Sequence, residues 1–230
     1  MEIKILHLVE GAKNAEGCTV VIDVFRAFTV EAYLMKNNAK KLIPVGDKQL
    51  AYIYKEKDKN IVLIGERNGE ILPGFDYGNS PSQIENVDFL GKTVVHTTSA
   101  GTQGIANAIN AQEILTGSLV NASAIAKYIK QNKFQKVSLV CMGLDTISQT
   151  EEDNLCARYI KDLLEDNDTN YIDAEIDNLK HTSGEKFFKE ELQHIFPKKD
   201  FYLSTEVDKF DFVLRLKKHP DGDYIEKIDV

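Results

Sequence analysis

Short runs of β-branched and other apolar residues alternate with amphipathic segments through most of this chain, and this alternation restricts its fold more than any other feature. Residues 20–22 and 137–140 are apolar on both faces or nearly so, as expected for central strands of a covered sheet. Alternating strand and helix units predict an α/β fold with helices on both faces of a mainly parallel sheet. The pattern is also compatible with a partly mixed sheet.

The pattern divides the first 165 residues into strands and helices. Asp47 and Asn121 precede two of the helical segments and are predicted N-caps. The predicted strands are residues 3–8, 19–24, 41–45, 61–64, 93–97, 113–115 and 136–141. The predicted helices are residues 28–37, 47–57, 82–88, 101–110, 122–131 and 151–164.

The C-terminal part has a different pattern. Residues 165–168 are acidic and predict a solvated turn, and residues 185–194 predict a helix. Two further strands, residues 201–204 and 210–217, are predicted to form a hairpin through residues 205–209. We therefore expect one domain over residues 1–230, with residues 166–230 as an extension that completes the fold.

Composition excludes several classes of function. The net charge of −8 and the pI of about 5.2 argue against a nucleic-acid-binding surface, which needs clustered Lys and Arg. No stretch approaches the roughly 20 apolar residues that span a bilayer, and the N-terminus lacks the pattern of a signal peptide. Three cysteines form no metal-ligand pair, so we expect a reduced, cytoplasmic protein. The sequence does not determine the oligomeric state, and a homodimer is compatible with it.

A polar loop at residues 65–81 is the first candidate ligand site. It follows an apolar strand and combines four glycines with carboxylates, an Arg and a Ser. Glycines let backbone N–H groups approach an anion, and carboxylates can hold a cation beside it. A mobile surface loop would also be rich in Gly, Asn and Pro. The candidate ligands here are Glu66, Arg67, Glu70, Asp76, Asn79 and Ser80.

Three further clusters lie at the ends of predicted strands, where ligands bind in open α/β sheets. Asp23 follows three apolar β-branched residues, and Arg26 can return toward it or bind an anion. The turn at residues 97–102 has hydroxyls and a helix start that suit a phosphate, although it is also a plausible N-cap. Glu152 and Asp153 begin a helix, where the macrodipole favours acids. Cys141 has no nearby His to activate it, and His96 fits a satisfied position in the sheet.

Together these clusters resemble the 2-phosphosulfolactate phosphatase family. The matching motifs, in order, are VIDVFRA at residues 21–27, GER at 65–67, GFDYGNSP at 74–81, TTSAGT at 97–102, GSLVNA at 117–122, CMG at 141–143 and EDNLCA at 152–157. The match extends more loosely through residues 183–184. In the motif at residues 97–102, Ser99 stands where Asn is more usual in this family.

The resemblance implies a three-layer α/β/α fold and a Mg²⁺-dependent phosphatase that converts 2-phosphosulfolactate to sulfolactate, a step of coenzyme M biosynthesis. It implies a small anionic phosphorylated substrate. Under this interpretation Asp23 is either the nucleophile or a ligand of Mg²⁺, and Glu152 or Asp153 protonates the leaving oxygen. Arg26, as a catalytic residue, and Arg67 bind the phosphate and the acid group of the substrate. The predicted metal ligands are Asp23, Glu66 and Asp76. The predicted substrate-binding residues are Arg67, Asn79, Ser80, Thr97, Thr98, Ser99, Gly101 and Thr102.

Two other functions are compatible with the sequence. An isochorismatase-like cysteine hydrolase also has an Asp at the end of an apolar strand, but Cys141 is followed by Met142-Gly143 rather than by a helix. A protein with the same fold that binds a small anion without catalysis is the second alternative.

Overall fold

The computed structural model describes residues 1–230 as ten strands, nine α-helices and three short 3₁₀ turns. The strands are β1 (Glu2–His7), β2 (Gly17–Ile22), β3 (Lys41–Pro44), β4 (Val62–Arg67), β5 (Glu70–Ile71), β6 (Thr93–Thr97), β7 (Ala111–Gly117), β8 (Lys136–Cys141), β9 (Phe212–Lys217) and β10 (Tyr224–Asp229). The helices are α1 (Leu8–Lys13), α2 (Ala27–Lys36), α3 (Lys48–Lys57), α4 (Pro81–Ile84), α5 (Gly101–Asn107), α6 (Ala122–Gln131), α7 (Glu151–Glu165), α8 (Ile172–Leu179) and α9 (Lys198–Ser204). The 3₁₀ turns are Leu119–Asn121, Glu185–Phe188 and Glu190–Leu192.

All ten strands lie in one mixed sheet, in the order β1-β8-β2-β7-β9-β10-β3-β6-β4-β5. β1, β8, β2 and β7 are parallel to one another, and β3, β6 and β4 form a second parallel group. β9 and β10 join the two groups through antiparallel pairings, so the C-terminal extension lies in the middle of the sheet. The continuous sheet supports one domain over residues 1–230, and this domain assignment stays a prediction.

The two parallel groups run in opposite directions along the hydrogen-bond ladder, because three antiparallel pairings separate them. A twist of about 20–25° per strand accumulates to more than about 100° over the five steps from β2 to β6. The groups are therefore turned toward each other in space. As a result, the loops that follow β2 and β6 meet, although the strands are far apart in the sheet.

Helices cover both faces of the sheet, which confirms the predicted three-layer α/β/α class. Along β2, Val21 belongs to one core cluster, whereas Val20 and Ile22 belong to the other. This alternation is the period of a strand that is buried on both faces. Helices α2 and α5 contribute to the first core, and α6 and α7 contribute to the second.

Predicted and observed elements agree closely in the first 165 residues. The predictions for β6, β8 and α6 match at both ends, and Asp47 caps α3 by accepting a hydrogen bond from the Gln49 N–H at 2.9 Å. The predicted capping role of Asn121 is wrong, because its side chain instead accepts from the backbone N–H of Ser118. The start of α6 is capped from the C-terminal region, where Asp208 accepts from the Ser123 N–H at 2.7 Å.

The helix predicted over residues 82–88 ends early, at Ile84. The side-chain amide of Asn37 donates to the carbonyl oxygens of Ile84 and Glu85. These carbonyls are satisfied from α2 rather than by a further helical turn.

The C-terminal predictions are partly wrong. Residues 185–194 form two 3₁₀ turns, because Phe187 and Phe188 both pack on Phe201 while Phe187 also contacts Phe196. A single helix could not direct these rings to one centre. Residues 201–204 belong to α9 rather than to a strand, and the hairpin partner of β9 is β10, not residues 201–204.

Two further sequence expectations concern the whole chain. All three cysteines are free and buried. None of the nine helices has the length and apolar character needed to cross a bilayer.

Candidate active site

A cleft of about 150 Å³ lies where the ends of four strands and part of the C-terminal extension meet. Its polar lining comes mainly from three of the sequence-predicted clusters. The lining residues are Asp23, Phe25, Arg26, Glu66, Asn68, Gly69, Asn79, Thr98, Ser99, Ala100, Gly143, Leu144, Asp145, Lys186 and Phe196.

Asp23 is a buried carboxylate at this cleft, with 7% of its surface exposed. Its Oδ1 accepts a hydrogen bond from the Ala27 N–H at 3.2 Å. Burial, together with the charges of Glu66 and Glu152, raises the pKa of Asp23 to about 7, and the Ala27 and Gly101 N–H groups oppose this rise. A carboxyl group in this range is a candidate functional group, because ordinary surface acids ionise near pH 4.

Gly101 allows the loop after β6 to approach Asp23. A Cβ at this position would lie 2.9 Å from both Asp23 Oδ2 and the Cβ of Ala27. Any side chain would therefore separate the loop after β6 from the loop after β2. Close approach explains why glycine is needed here.

Glu66 holds two loops at the cleft. Its Oε1 accepts from the Ser99 N–H at 2.7 Å, and its Oε2 accepts from the Gly69 N–H at 2.7 Å and from Ser99 Oγ at 3.2 Å. Ser99 thus bonds to the carboxylate of Glu66 through both its N–H and its hydroxyl. The loop after β6 and the turn after β4 are fixed to each other through this side chain.

Arg26 lies at the cleft, but its predicted interaction with Asp23 is not observed. It forms an ion pair with Asp200 at 2.8 Å, and the two side chains are 3% and 0% exposed. It also donates to the carbonyl oxygen of Ile195 at 2.9 Å. Asp200 in turn accepts from Ser80 Oγ at 2.9 Å. The sequence could not indicate this pairing, because the two partners are 174 residues apart.

Lys186 is the cation that sequence reasoning missed. It lines the cleft and has neither a salt bridge nor a hydrogen bond in the structure. Burial lowers its pKa, an effect that the negative charge of Glu152 opposes. Its Nζ lies 5.2 Å from the centre of the Phe196 ring, and Arg26 Cζ lies 4.9 Å from the same ring. The only sequence feature that could have indicated Lys186 is its position next to residues 183–184, where the resemblance to the family is loose.

Two predicted ligands of the polar loop lie away from this cleft. Asp76 Oδ2 accepts from the Leu63 N–H at 2.8 Å and pairs with Lys55 at 3.1 Å. The prediction that Asp76 shares an ion with Asp23 and Glu66 is therefore corrected. The side chain of Arg67 also lies outside the cleft lining and donates to Thr97 Oγ1 at 3.0 Å.

The predicted turn at residues 97–102 has mainly internal bonds. The Thr98 N–H donates to Thr102 Oγ1, and the Thr102 N–H donates to Thr98 Oγ1. The N–H of Ser99 is bound to Glu66, as described above, and Thr97 accepts from Arg67. The helix start therefore orients the carboxylates of the cleft and offers few free donors to an anion.

Glu152 and Asp153 lie behind the cleft. Asp153 accepts from the N–H groups of Val24 and Gly143 at 2.9 and 2.8 Å, which links the ends of β2 and β8. Glu152 is 3% exposed, its Oε2 has no hydrogen-bond partner, and burial raises its pKa. Neither carboxylate lines the cleft, so a proton from either would need an intermediary.

A second cavity of about 220 Å³ adjoins the cleft and shares Arg26, Gly69 and Asn79 with it. It also contains Ser80 and the exposed His194. Together the two cavities provide space for a phosphoryl group and for the remainder of a small substrate.

Cys141 has the properties of a structural thiol. It is 1% exposed, burial raises its pKa, and its Sγ donates to the carbonyl oxygen of Asp153 at 3.4 Å. Reactive cysteines are accessible and have a lowered pKa. These properties disfavour a cysteine hydrolase.

Comparison with known proteins gives one consistent family. A family model described as 2-phosphosulpholactate phosphatase matches residues 4–219, which include every residue of the cleft lining. A probable 2-phosphosulfolactate phosphatase of Caldicellulosiruptor saccharolyticus is 37% identical over 172 residues, covering 73% of this chain and 69% of that protein. A protein with the same description from Bacillus subtilis is 31% identical over 212 residues, covering 91% of each chain.

Proposed function

We propose that this chain, which belongs to the 2-phosphosulfolactate phosphatase family, hydrolyses the phosphate monoester of a 2-hydroxycarboxylic acid in the cleft described above. Members of this family are phosphoric monoester hydrolases, and the substrate that we propose is 2-phosphosulfolactate. The observation that carries the proposal is the convergence of two carboxylates, Asp23 and Glu66, with the unpaired cation Lys186.

The charges of the cleft support a bound cation. Asp23, Glu66 and Asp145 line it, against Lys186 and Arg26, and Asp200 already neutralises Arg26. A phosphate monoester is itself an anion, and it would be repelled by this surplus of carboxylates. The family indicates a metal-dependent enzyme, and a divalent cation would remove the conflict.

Asp23 and Glu66, the two predicted metal ligands that line the cleft, suit Mg²⁺. Mg²⁺ is commonly held by only one or two carboxylates, with water and substrate phosphate completing its coordination. Asp23 and Glu66 would hold it, and the mutual repulsion that raises the pKa of Asp23 would be relieved. When bound, the ion supplies neutralisation of the phosphoryl charge.

The protein's own cations then bind and stabilise the transferred phosphoryl group. Lys186 has three free N–H donors at the cleft, and the Arg26 Nη2 makes only a long 3.4 Å contact with the carbonyl oxygen of Gly69. Donors that face a developing negative charge typically contribute 10²–10³ in rate each. We assign this role to Lys186 first, because no protein carboxylate pairs with it.

Asp23 and Lys186 also have suitable positions for the two protons of hydrolysis. Asp23 Oδ2, which does not bond to Ala27, orients the attacking water and accepts its proton as the water oxygen bonds to phosphorus. Lys186 has a lowered pKa and gives a proton to the leaving oxygen as the ester P–O bond breaks. Asp23 then loses its proton to solvent and Lys186 regains one, and the negative charge of Glu152 favours the recharged ammonium. Glu152 thus supports Lys186 instead of acting on substrate directly.

The proposal is tested by phosphate release from 2-phosphosulfolactate, 2-phospholactate and phosphoglycolate, with Mg²⁺ and with EDTA. We expect release that requires Mg²⁺ and that is fastest with 2-phosphosulfolactate. Absence of release from all three substrates would refute the proposal and would favour a protein that only binds small anions.

Two lysine variants locate the reaction. Lys186→Met should lower kcat/KM by about 10²–10³, because a donor to the transition state is lost. Lys189→Met is the matched control, since Lys189 belongs to the same segment but pairs with Glu185 outside the cleft. Equal activities of the two variants would contradict the role of Lys186.

A further inference from the structure

A buried acid–imidazole pair lies next to the cleft and has no role in the proposed mechanism so far. Glu31 of α2 and His96 of β6 are both 0% exposed, and His96 Nδ1 lies 3.1 Å from Glu31 Oε1. Thr116 Oγ1 donates to the other carboxylate oxygen, Oε2, at 3.0 Å. Both oxygens of Glu31 therefore have a hydrogen-bond partner, as a buried acid requires.

The pair ends at a residue of the cleft wall. His96 Nε2 lies 3.2 Å from Oδ1 of Asn79, a 6% exposed side chain that lines both cavities. Oδ1 has no hydrogen to donate, so the bond requires a hydrogen on Nε2. On its other side the ring shares a hydrogen with Glu31 through Nδ1 and Oε1. His96 is thus a donor toward the cleft wall.

The free end of Asn79 is then fixed. With Oδ1 turned inward to His96, Nδ2 lies on the opposite side of the amide, and no protein group accepts a hydrogen bond from it. Its two N–H donors are available to the cleft. A neutral imidazole with hydrogen on Nδ1 would instead need a donor from Asn79, which would turn the amide oxygen toward the cleft.

We propose that the Glu31–His96 pair is a positioning device that fixes the Asn79 amide with its NH₂ group toward the substrate's anionic groups. This inference rests on the proposed function, because it assigns a further donor to the same site. The hydrogen on His96 Nε2 selects which end of the amide faces the substrate. An N–H donor attracts the anion and an oxygen repels it, so the pair decides whether this side of the cleft attracts or repels the substrate's anionic groups.

The first test is independent of catalysis. Protein labelled with ¹⁵N-histidine, free of ligand and at pH 7.5, is examined by ¹H–¹⁵N correlation spectra, and a His96→Gln variant identifies the signal among the five histidines. We expect Nε2 of His96 to have the shift of a protonated nitrogen and its hydrogen to exchange slowly. An Nε2 without hydrogen in the folded protein would overturn the inference, whatever the activity.

The second test measures the binding of inorganic phosphate in the presence of Mg²⁺. Asn79→Asp keeps the acceptor for His96 but places an oxygen where Nδ2 was, so we expect the dissociation constant for phosphate, measured by titration calorimetry, to rise at least tenfold. His96→Leu should weaken phosphate similarly, whereas His96→Gln, which retains a donor, should restore part of the affinity. Unchanged phosphate affinity in folded Asn79→Asp protein would overturn the inference.

Discussion

Replacing Asp23 by Asn should stabilise the protein at high pH while abolishing its activity. The pKa of Asp23 rises from 3.8 to about 7 on folding, and each unit corresponds to about 1.4 kcal/mol. A raised pKa in the folded state contributes stability that is fully present below pH 3.8 and is lost as the pH rises through 7. The full effect is about 4 kcal/mol, and about 3 kcal/mol of it is lost between pH 5 and pH 8.5.

Asn cannot ionise, so the Asp23→Asn variant does not lose stability in this way as the pH rises. Urea unfolding with EDTA present, followed by circular dichroism because the chain has no Trp, gives the difference in unfolding free energy at each pH. We expect Asp23→Asn to gain about 3 kcal/mol relative to wild type between pH 5 and pH 8.5. Asp211→Asn, which removes an exposed carboxylate, should show no such change. A difference for Asp23→Asn that is constant across pH would refute the reasoning.

Three further predictions follow from the same contacts. The affinity for Mg²⁺ should fall about tenfold from pH 8 to pH 6, because protonation of Asp23 competes with the ion. Titration calorimetry at the two pH values measures this affinity, and equal affinities would count against Asp23 as a ligand. Gly101→Ala should lower the free energy of unfolding by about 1–3 kcal/mol and remove most of the activity, because its Cβ would lie 2.9 Å from Asp23 Oδ2. Gly46→Ala is the control and should be tolerated, since the nearest neighbour of its Cβ would be the flexible end of a Gln side chain. Asp200→Asn should cost about 3–5 kcal/mol in urea unfolding, because it leaves Arg26 buried without a counter-charge; a loss below about 1 kcal/mol would show that this pair does not hold the C-terminal extension to the cleft.

The sequence predicted the strand and helix pattern of the first 165 residues because their apolar periodicity is regular. It also predicted that Asp23, Glu66 and the turn at residues 97–102 would approach each other. That inference required only that ligand loops follow strand ends, and it did not foresee that β2 and β6 belong to groups that run in opposite directions. The pattern could not reveal that β9 and β10 lie between the two parallel groups, since strand order is decided by long-range packing.

The errors at the site have the same physical origin. Arg26 was predicted from local spacing to interact with Asp23, but a buried guanidinium binds the best available carboxylate, and Asp200 comes from a helix far along the chain. Asp76 was placed by its motif, but its carboxylate instead bonds to the neighbouring backbone and to Lys55. Lys186 was missed because its segment has no regular period, and its position is fixed by contacts with the rings of Phe187 and Phe196.

The most direct measurement of the central claim is a crystal structure with Mg²⁺ and vanadate, an analogue of the transferred phosphoryl group. The account predicts Mg²⁺ between the carboxylates of Asp23 and Glu66, with vanadate in contact with both the ion and Lys186. Vanadate bound away from Lys186, or Mg²⁺ bound at Asp76 without Asp23, would contradict it.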